Sequence, residues 1–359
     1  GRDLGGSGEV TWRGSLAPLS GSFDGVLGVS GRALRVDVPE VDNLLRGDSR
    51  LTLSAERSAE GVRIRGLELR AATLAARAQG WLRSAGSDLT GEVRFDDLSV
   101  LGPRYAGSLA ADVVLAAGAE GEALRLDGTT RDLAVGVPEL DGLLQGETAL
   151  ALRATRQGEL LRLDSLRLGS AALEVTAEGT VSPVARDLRA TVALRDLARL
   201  GESYRGRVEA RLALGMTDGV DRLRLDGTAV DVGVGMPELD GLLRGTTTLS
   251  MLASRDAAGV IGVERLEIDG RVLTARASGS HGRDARSFRL DATLRDLSDL
   301  RPGLGGQLRA RLGYGFGDGT ESVDLDALAS GLRLGQPEAD RLLRGETTLR
   351  LAANRRAGI

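Results

Sequence analysis

Apolar and polar residues alternate along most of this chain. Past Gly206, Val208, Ala210 and Leu212 are separated by Glu209 and Arg211. Past Gly107 the same places hold Leu109, Ala111 and Val113, and past Gly306 they hold Leu308, Ala310 and Leu312. Past Gly8 they hold Val10, Trp12 and Gly14. An apolar side chain at every second position marks a strand with one face toward an apolar layer and one toward water. On a helix, two-residue steps would send these side chains to opposite sides. A second strand type follows Gly47, Gly146, Gly245 and Gly345. Its apolar positions are Leu51, Leu53 and Ala55; Leu150, Leu152 and Ala154; Leu249, Met251 and Ala253; and Leu349, Leu351 and Ala353.

These landmarks recur in register. The stretch Pro39-Glu-Val-Asp-Asn-Leu-Leu-Arg-Gly47 returns as Pro138 to Gly146, Pro237 to Gly245 and Pro337 to Gly345, the prolines 99, 99 and 100 residues apart. A fixed period of this kind marks a repeat architecture. The landmarks Gly8, Gly107, Gly206 and Gly306 divide each period into halves of about 60 and 39 residues. The pattern predicts about seven strands per period, four in the long half and three in the short one. In the third unit the short half reads as 208–216, 221–226 and 230–234, and the long half includes 263–268, 272–277 and 288–294. Thr217-Asp218-Gly219 and Gly317-Asp318-Gly319 are hairpin signals, which favour an antiparallel meander. In the first copy Asp24-Gly25 is displaced by about a residue, which predicts a bulge or a different turn. No linker interrupts the series. Residues 1–359 read as one mainly β, elongated antiparallel repeat array with short helices.

Proline at the start, acids in the first turn, two leucines and a final glycine predict a helix of about two turns at each nine-residue stretch. A weaker analogue follows the long half at Asp97-Leu98, Asp196-Leu197 and Asp296-Leu297. The acid pairs Glu40/Asp42, Glu139/Asp141, Glu238/Asp240 and Glu338/Asp340 are two residues apart and do not face each other on a helix. They read as helix-start electrostatics, with no catalytic role.

Composition narrows the function. All 47 basic residues are arginine, the net charge is −4, and aromatic residues are 3% of the chain, a balance that argues against nucleic-acid binding. Cysteine is absent, so no disulfide framework or thiolate metal site exists. Gly317-Asp-Gly-Thr with Asp324 and Asp326 lacks the acid spacing of a calcium loop. Gly5-Gly6-Ser7-Gly8 and Gly303-Leu-Gly-Gly306 lead into strands, not helices, and read as turns. His281, the single histidine, reads as part of a polar loop. No metal, cofactor or enzymatic activity is expected. The start at Gly1 without a methionine and the stop at Ile359 read as a fragment of a longer chain.

What remains is an apolar sheet face that must be covered. Its candidate lining is Val10, Leu51, Leu53, Leu109, Val113, Leu150, Leu152, Val208, Leu212, Leu249, Met251, Leu308, Leu312, Leu349 and Leu351. An aliphatic lining without convergent polar groups suits acyl chains better than a defined metabolite. Two readings stay open here: an open trough holding apolar ligand, or a closed core in a secreted or surface β-solenoid, adhesin-like repeat.

The recurrent Pro-Glu-Leu-Asp-x-Leu-Leu-Arg-Gly-x-Thr followed by Leu-x-Leu-x-Ala resembles the middle region of the TamB family (translocation and assembly module subunit), as found in alphaproteobacteria and part of the wider AsmA-like group. So do Leu266-Glu-Ile-Asp-Gly and Ala275-Arg-Ala-Ser-Gly. The resemblance covers essentially the whole chain. It implies a β-taco with a hydrophobic groove for phospholipid acyl chains, crossing the periplasm from an N-terminal inner-membrane anchor that this fragment lacks. It further implies outer-membrane protein assembly with TamA, an outer-membrane barrel met through regions outside this fragment.

Overall fold

Alternating side chains become a meander of antiparallel strands. The computed structural model describes residues 5–35, 39–44, 47–301 and 303–356. Leu45 and Arg46 of the first nine-residue stretch lie outside the described residues, as do the chain ends at Gly1 and Ile359 and the side chains of Pro39 and Glu40. The described residues form 21 strands, four short α-helices and three 3-10 turns, and divide into two compact units, 1–179 and 180–359.

The first unit contains β1 (Gly5–Ala17), β2 (Ser22–Arg35), α1 (Pro39–Leu44), β3 (Asp48–Ser58), β4 (Gly61–Arg70), β5 (Leu74–Arg83) and β6 (Gly86–Phe95). A 3-10 turn, Leu98–Leu101, precedes β7 (Ala106–Gly118), β8 (Gly121–Ala134), α2 (Pro138–Leu143), β9 (Glu147–Gln157) and β10 (Leu160–Gly169). Each strand from β1 to β10 pairs antiparallel with the next. β11 (Leu173–Val181) spans the division between the units.

The second unit contains β12 (Arg186–Leu194), the 3-10 turn Leu197–Leu200, β13 (Arg205–Thr217), β14 (Val220–Gly233), α3 (Pro237–Leu242), β15 (Thr246–Arg255), β16 (Ile261–Gly270), β17 (Leu273–His281) and β18 (Ala285–Leu294). The 3-10 turn Leu297–Asp299 precedes β19 (Gly305–Gly317), β20 (Thr320–Arg333), α4 (Pro337–Leu342) and β21 (Glu346–Arg356). Strands β12 to β21 pair in order, all antiparallel.

Each period holds six strands, not seven. The short half is one hairpin of two long strands, because β14 runs unbroken through Gly227, which pairs with Ala210 in mid-ladder. The Asp-Gly signals fold as expected: Asp218 and Gly219 (φ 54° and 74°), like Asp318 and Gly319 (φ 49° and 68°), take the positive φ pair of a tight hairpin turn. The landmark glycines sit at bulges. Gly206, at φ 95°, marks a register shift in the β13–β14 ladder, and a Cβ there would meet two carbonyl oxygens at 2.6 Å.

The first copy differs in two ways. Its bulge glycine is Gly6, not Gly8, and Asp24-Gly25 lies inside β2 opposite Ser15 and Gly14. The turn is the four residues 18–21, closed by Gly21 N–H donating to the Ala17 carbonyl at 2.9 Å. Two extra turn residues shift the landmark by an even number, so Val10 and Trp12 keep the same face. A one-residue slip would have reversed it.

The nine-residue stretches fold as helices with proline at N1 in α2, α3 and α4. The two adjacent leucines at the end of α2 are the most tightly packed, whereas Leu342 of α4 is 87% exposed. Leu143 and Leu144 are 3% and 5% exposed, and Leu98, Leu197 and Leu297 of the 3-10 turns are buried with them in type. α3 rests on the turn Leu297–Asp299 so closely that a Cβ on Gly241 would lie 2.1 Å from the Asp299 carbonyl oxygen.

Candidate functional site

Cross-strand register assembles the alternating residues into rows. In the second unit one row runs Ala190, Leu212, Leu225, Met251, Leu266, Ala277, Leu290, Leu312, Leu325, Leu351. Flanking rows carry Val208, Leu249 and Ile268 on one side and Leu214, Leu223 and Phe288 on the other. In the first unit the matching row runs Trp12, Leu27, Leu53, Leu67, Ala78, Gly91, Val113, Leu126, Leu152, Leu166. Each of the fifteen predicted lining residues falls on the apolar face of its own unit. Leu53, Val113 and Leu152 lie in the matching row of the first unit, and Val10, Leu51 and Leu150 in the row beside it. Leu109 lies one row nearer the helices, beside Thr130 in the ladder. Leu212, Met251, Leu312 and Leu351 share the second unit's row, flanked by Leu249 and Leu349, with Val208 and Leu308 at the helix end.

This face is not covered. A sandwich core buries the apolar positions of its central strands. Here the interior-strand leucines, Leu53, Leu152, Leu212 and Leu312 among them, are half-buried, and the fully buried hydrophobics gather at one end of the strands. Val272 (1% exposed), Leu173, Leu74 and Val232 lie there with the helix leucines. Ala111 and Ala277, small side chains within the rows, are also buried. On the edge strands exposure is greater, with Val10 at 68% and Leu349 at 57%. Among the described residues the extensive strand contacts are those between ladder neighbours, and the helices meet the strands they follow and the 3-10 turns. Four apolar rows two residues apart span about 20 Å along the strands.

The two margins of the strip differ. One carries the helices and 3-10 turns, whose aspartates organise the backbone. Asp97, Asp196 and Asp296 accept the N–H of the residue two ahead at 2.8, 3.0 and 2.9 Å, as side-chain N-caps do. In the longer helices the second acid reaches backward: Asp141 accepts Val135 N–H at 2.7 Å, and Asp340 accepts Leu334 N–H at 2.7 Å. These acids therefore close the strand-to-helix corner by specific hydrogen bonds, more than the helix-dipole attraction expected for them. The final glycine is also engaged. Gly245, at φ 83°, donates to Asp231 Oδ1 and accepts Asp231 N–H, both at 2.9 Å, with Asp231 itself at φ 49°. Gly146 and Asp132 repeat the pair. Nothing in the local sequence joins residues 14 apart, so this lock was not legible there.

The other margin carries the hairpin turns and a row of mostly polar side chains. In the second unit this row holds Arg186, Asp221, Arg255, His281, Arg286, Glu321 and Arg355, with Met216, Ile261 and Phe316 between them. His281 ends strand β17 opposite Arg286 and is not in a loop, as the polar sequence around it suggested. The Glu321 carboxylate accepts the Tyr314 hydroxyl at 3.0 Å and raises the phenol pKa above its usual value.

The opposite sheet face is charged and paired. Arg224 lies 2.9 Å from Asp226, and Arg311 lies 3.0 Å from Asp291. The charged face of the second unit lines a half-open hollow of about 1200 Å³. Its walls include Glu267, Arg276, Asp291, Arg311, Asp326 and Arg350, which are ion-paired in twos at 3.0–3.4 Å. A smaller hollow of about 660 Å³ occupies the same place in the first unit, with Glu68 and Arg70 2.6 Å apart. Sequence reading placed neither, because curvature is not encoded in alternation. Exposed pairs of this kind contribute about 0–1 kcal/mol each, and these neutralise one another.

No protein-family model and no curated protein sequence matches the chain. Among the described residues no helix is long and apolar enough to cross a membrane, and no group of histidine and acidic side chains could hold a metal ion.

Proposed function

We propose that this chain is a lipid-holding segment of a TamB-type, AsmA-like envelope protein. Acyl chains lie on the uncovered apolar rows and move along them without catalysis, cofactor or energy input from this segment. The observation that supports the reading is the half-exposure of interior-strand leucines on the apolar face of each unit. A strip about 20 Å wide accommodates a tail from one leaflet, whose hydrocarbon depth is about 15 Å. In this reading the segment works in the periplasm, tethered to the inner membrane. It passes phospholipid toward the outer membrane or assists protein assembly there with a TamA-like barrel, through parts of the protein beyond this chain.

The test is a pair of charged substitutions, Leu152→Arg and Met251→Arg. On an open face the guanidinium reaches water and the fold survives. In a closed core each would cost several kcal/mol and unfold the chain. The expected result is an unchanged far-ultraviolet spectrum with loss of co-purifying phospholipid by mass spectrometry. Unfolding of both variants, or wild-type protein free of lipid, would reject the proposal in favour of a closed repeat.

A further inference from the structure

The repeats provide an internal control for the turn margin of the apolar face. On β5, β6 and β7 the two outermost rows hold Leu82, Ser87, Leu89, Leu115 and Ala117. The matching places on β17, β18 and β19 hold His281, Arg286, Phe288, Tyr314 and Phe316. Five of the six positions depart from small or aliphatic to cationic, imidazole or aromatic, and the sixth is glycine in both, Gly80 and Gly279. In a chain with 3% aromatic residues, three of them sit together here.

The charge pattern departs as well. On β12, Arg186 is the counterpart of Arg286, and it lies 3.4 Å from Asp221. The counterpart of that acid, Glu321, is instead held by the Tyr314 hydroxyl at 3.0 Å. Among the described residues Arg286 makes no ion pair, and its guanidinium lies 5.7 Å from the Phe316 ring centroid. His281 and Arg286 are directly opposite in the ladder, and both are exposed.

A guanidinium without a carboxylate partner, beside an imidazole, has the donors that a phosphate accepts. Aromatic rings beneath it suit the boundary where an apolar tail meets a wet head. The row of Phe288 leads inward to Leu290 and Leu312, the start of the aliphatic strip. Tail and head are thus presented along one strand direction.

We propose that Arg286 and His281 form a docking site for the phosphate of a phospholipid whose acyl chains enter the strip over Phe288. The proposal rests on the lipid-holding reading of the apolar face and adds a place where the headgroup is recognised. Position 286 recognises the phosphate and position 186 does not.

The test measures binding to the 359-residue chain by titration calorimetry with three probes. These are dihexanoyl phosphatidylglycerol below its micelle concentration, dihexanoylglycerol, which lacks phosphate, and glycerol 3-phosphate, which lacks tails. Arg286→Gln should weaken the phospholipid about ten-fold, as loss of a charge-assisted hydrogen bond does. It should leave dihexanoylglycerol unchanged, and Arg186→Gln should change neither. Glycerol 3-phosphate should bind more weakly than the phospholipid. If wild-type protein binds both lipids and Arg286→Gln binds the phospholipid equally well, the headgroup site is overturned and the apolar strip stands. Should neither lipid bind wild-type protein, both proposals fall. Glycerol 3-phosphate binding as tightly as the phospholipid would replace the lipid with a free phosphate ester and overturn the site as stated.

Discussion

Val234 donates its backbone N–H to Asp240 Oδ1 at 2.6 Å, from the end of one strand to the second acid of the helix that follows. The N-cap residue of that helix, Met236, has no side chain able to cap it. The carboxylate therefore joins strand and helix across the corner. Arg205, at the start of the adjoining strand, adds an ion pair at 2.9 Å.

The first prediction concerns acid. The Val234 N–H, reinforced by Arg205, holds the Asp240 carboxyl below its ordinary range, and the backbone N–H groups of Ser99 and Ser298 do the same for Asp97 and Asp296. An unfolded aspartate titrates near about 3.9. A depressed native value means the corner contributes fully above that pH and loses its contribution as pH falls through the native pKa. Amide-exchange protection over residues 234–245 should hold from neutral pH to about pH 4 and decline below it. Asp240→Ala should lose protection already at neutral pH. Protection that is independent of pH in the wild-type chain would contradict the corner's reliance on this carboxylate.

A second prediction separates two glycines of the same stretch. Gly241→Ala drives a methyl into the Asp299 carbonyl and should cost about 1–3 kcal/mol as an overpacking change. Gly245 has open space around it but a φ of 83°, so Gly245→Ala should cost about 1–2 kcal/mol through backbone strain alone. Asparagine tolerates that conformation. Gly245→Asn should therefore recover part of the loss in a urea midpoint measurement, whereas Gly241→Asn should be no better than alanine.

Buried hydroxyls furnish a third. Thr247 Oγ1 is buried without a hydrogen-bond partner, while its counterpart Thr148 Oγ1 donates to the Leu144 carbonyl at 3.4 Å. Replacing an unsatisfied hydroxyl with a methyl of the same shape removes a desolvation cost. Thr247→Val should stabilise the chain by about 1 kcal/mol, and Thr148→Val should not. Thermal melts of the two variants decide it, and a destabilised Thr247→Val would contradict the assignment.

The face assignments were legible because a period of two is a local signal. Each of the fifteen lining residues declares its side within three or four neighbours. Features that depend on residues far apart were not. Gly227 reads as a break yet sits within a ladder, which is why six strands looked like seven. The Asp231–Gly245 lock spans a helix, and the place of His281 opposite Arg286 depends on where β17 ends. Whether the apolar rows are covered is a property of what packs above them, and alternation is the same in both cases. The caps fall between these cases: proline and acids announced the helix, but not the backward reach of Asp141 and Asp240 to the preceding strand.

Six strands per period is an even count, and parity decides sidedness. Within each unit every helix and 3-10 turn follows an even-numbered strand, so all of them emerge at the same end of the strands. Seven strands would have sent successive helices to alternate ends and left both margins mixed. With six, each unit becomes a rack with a stopped side and an open side. On the lipid-holding reading, a molecule with one oily end and one hydrated end would lie in a single sense within each unit, and a queue of them across the strands would have all its hydrated ends in one file.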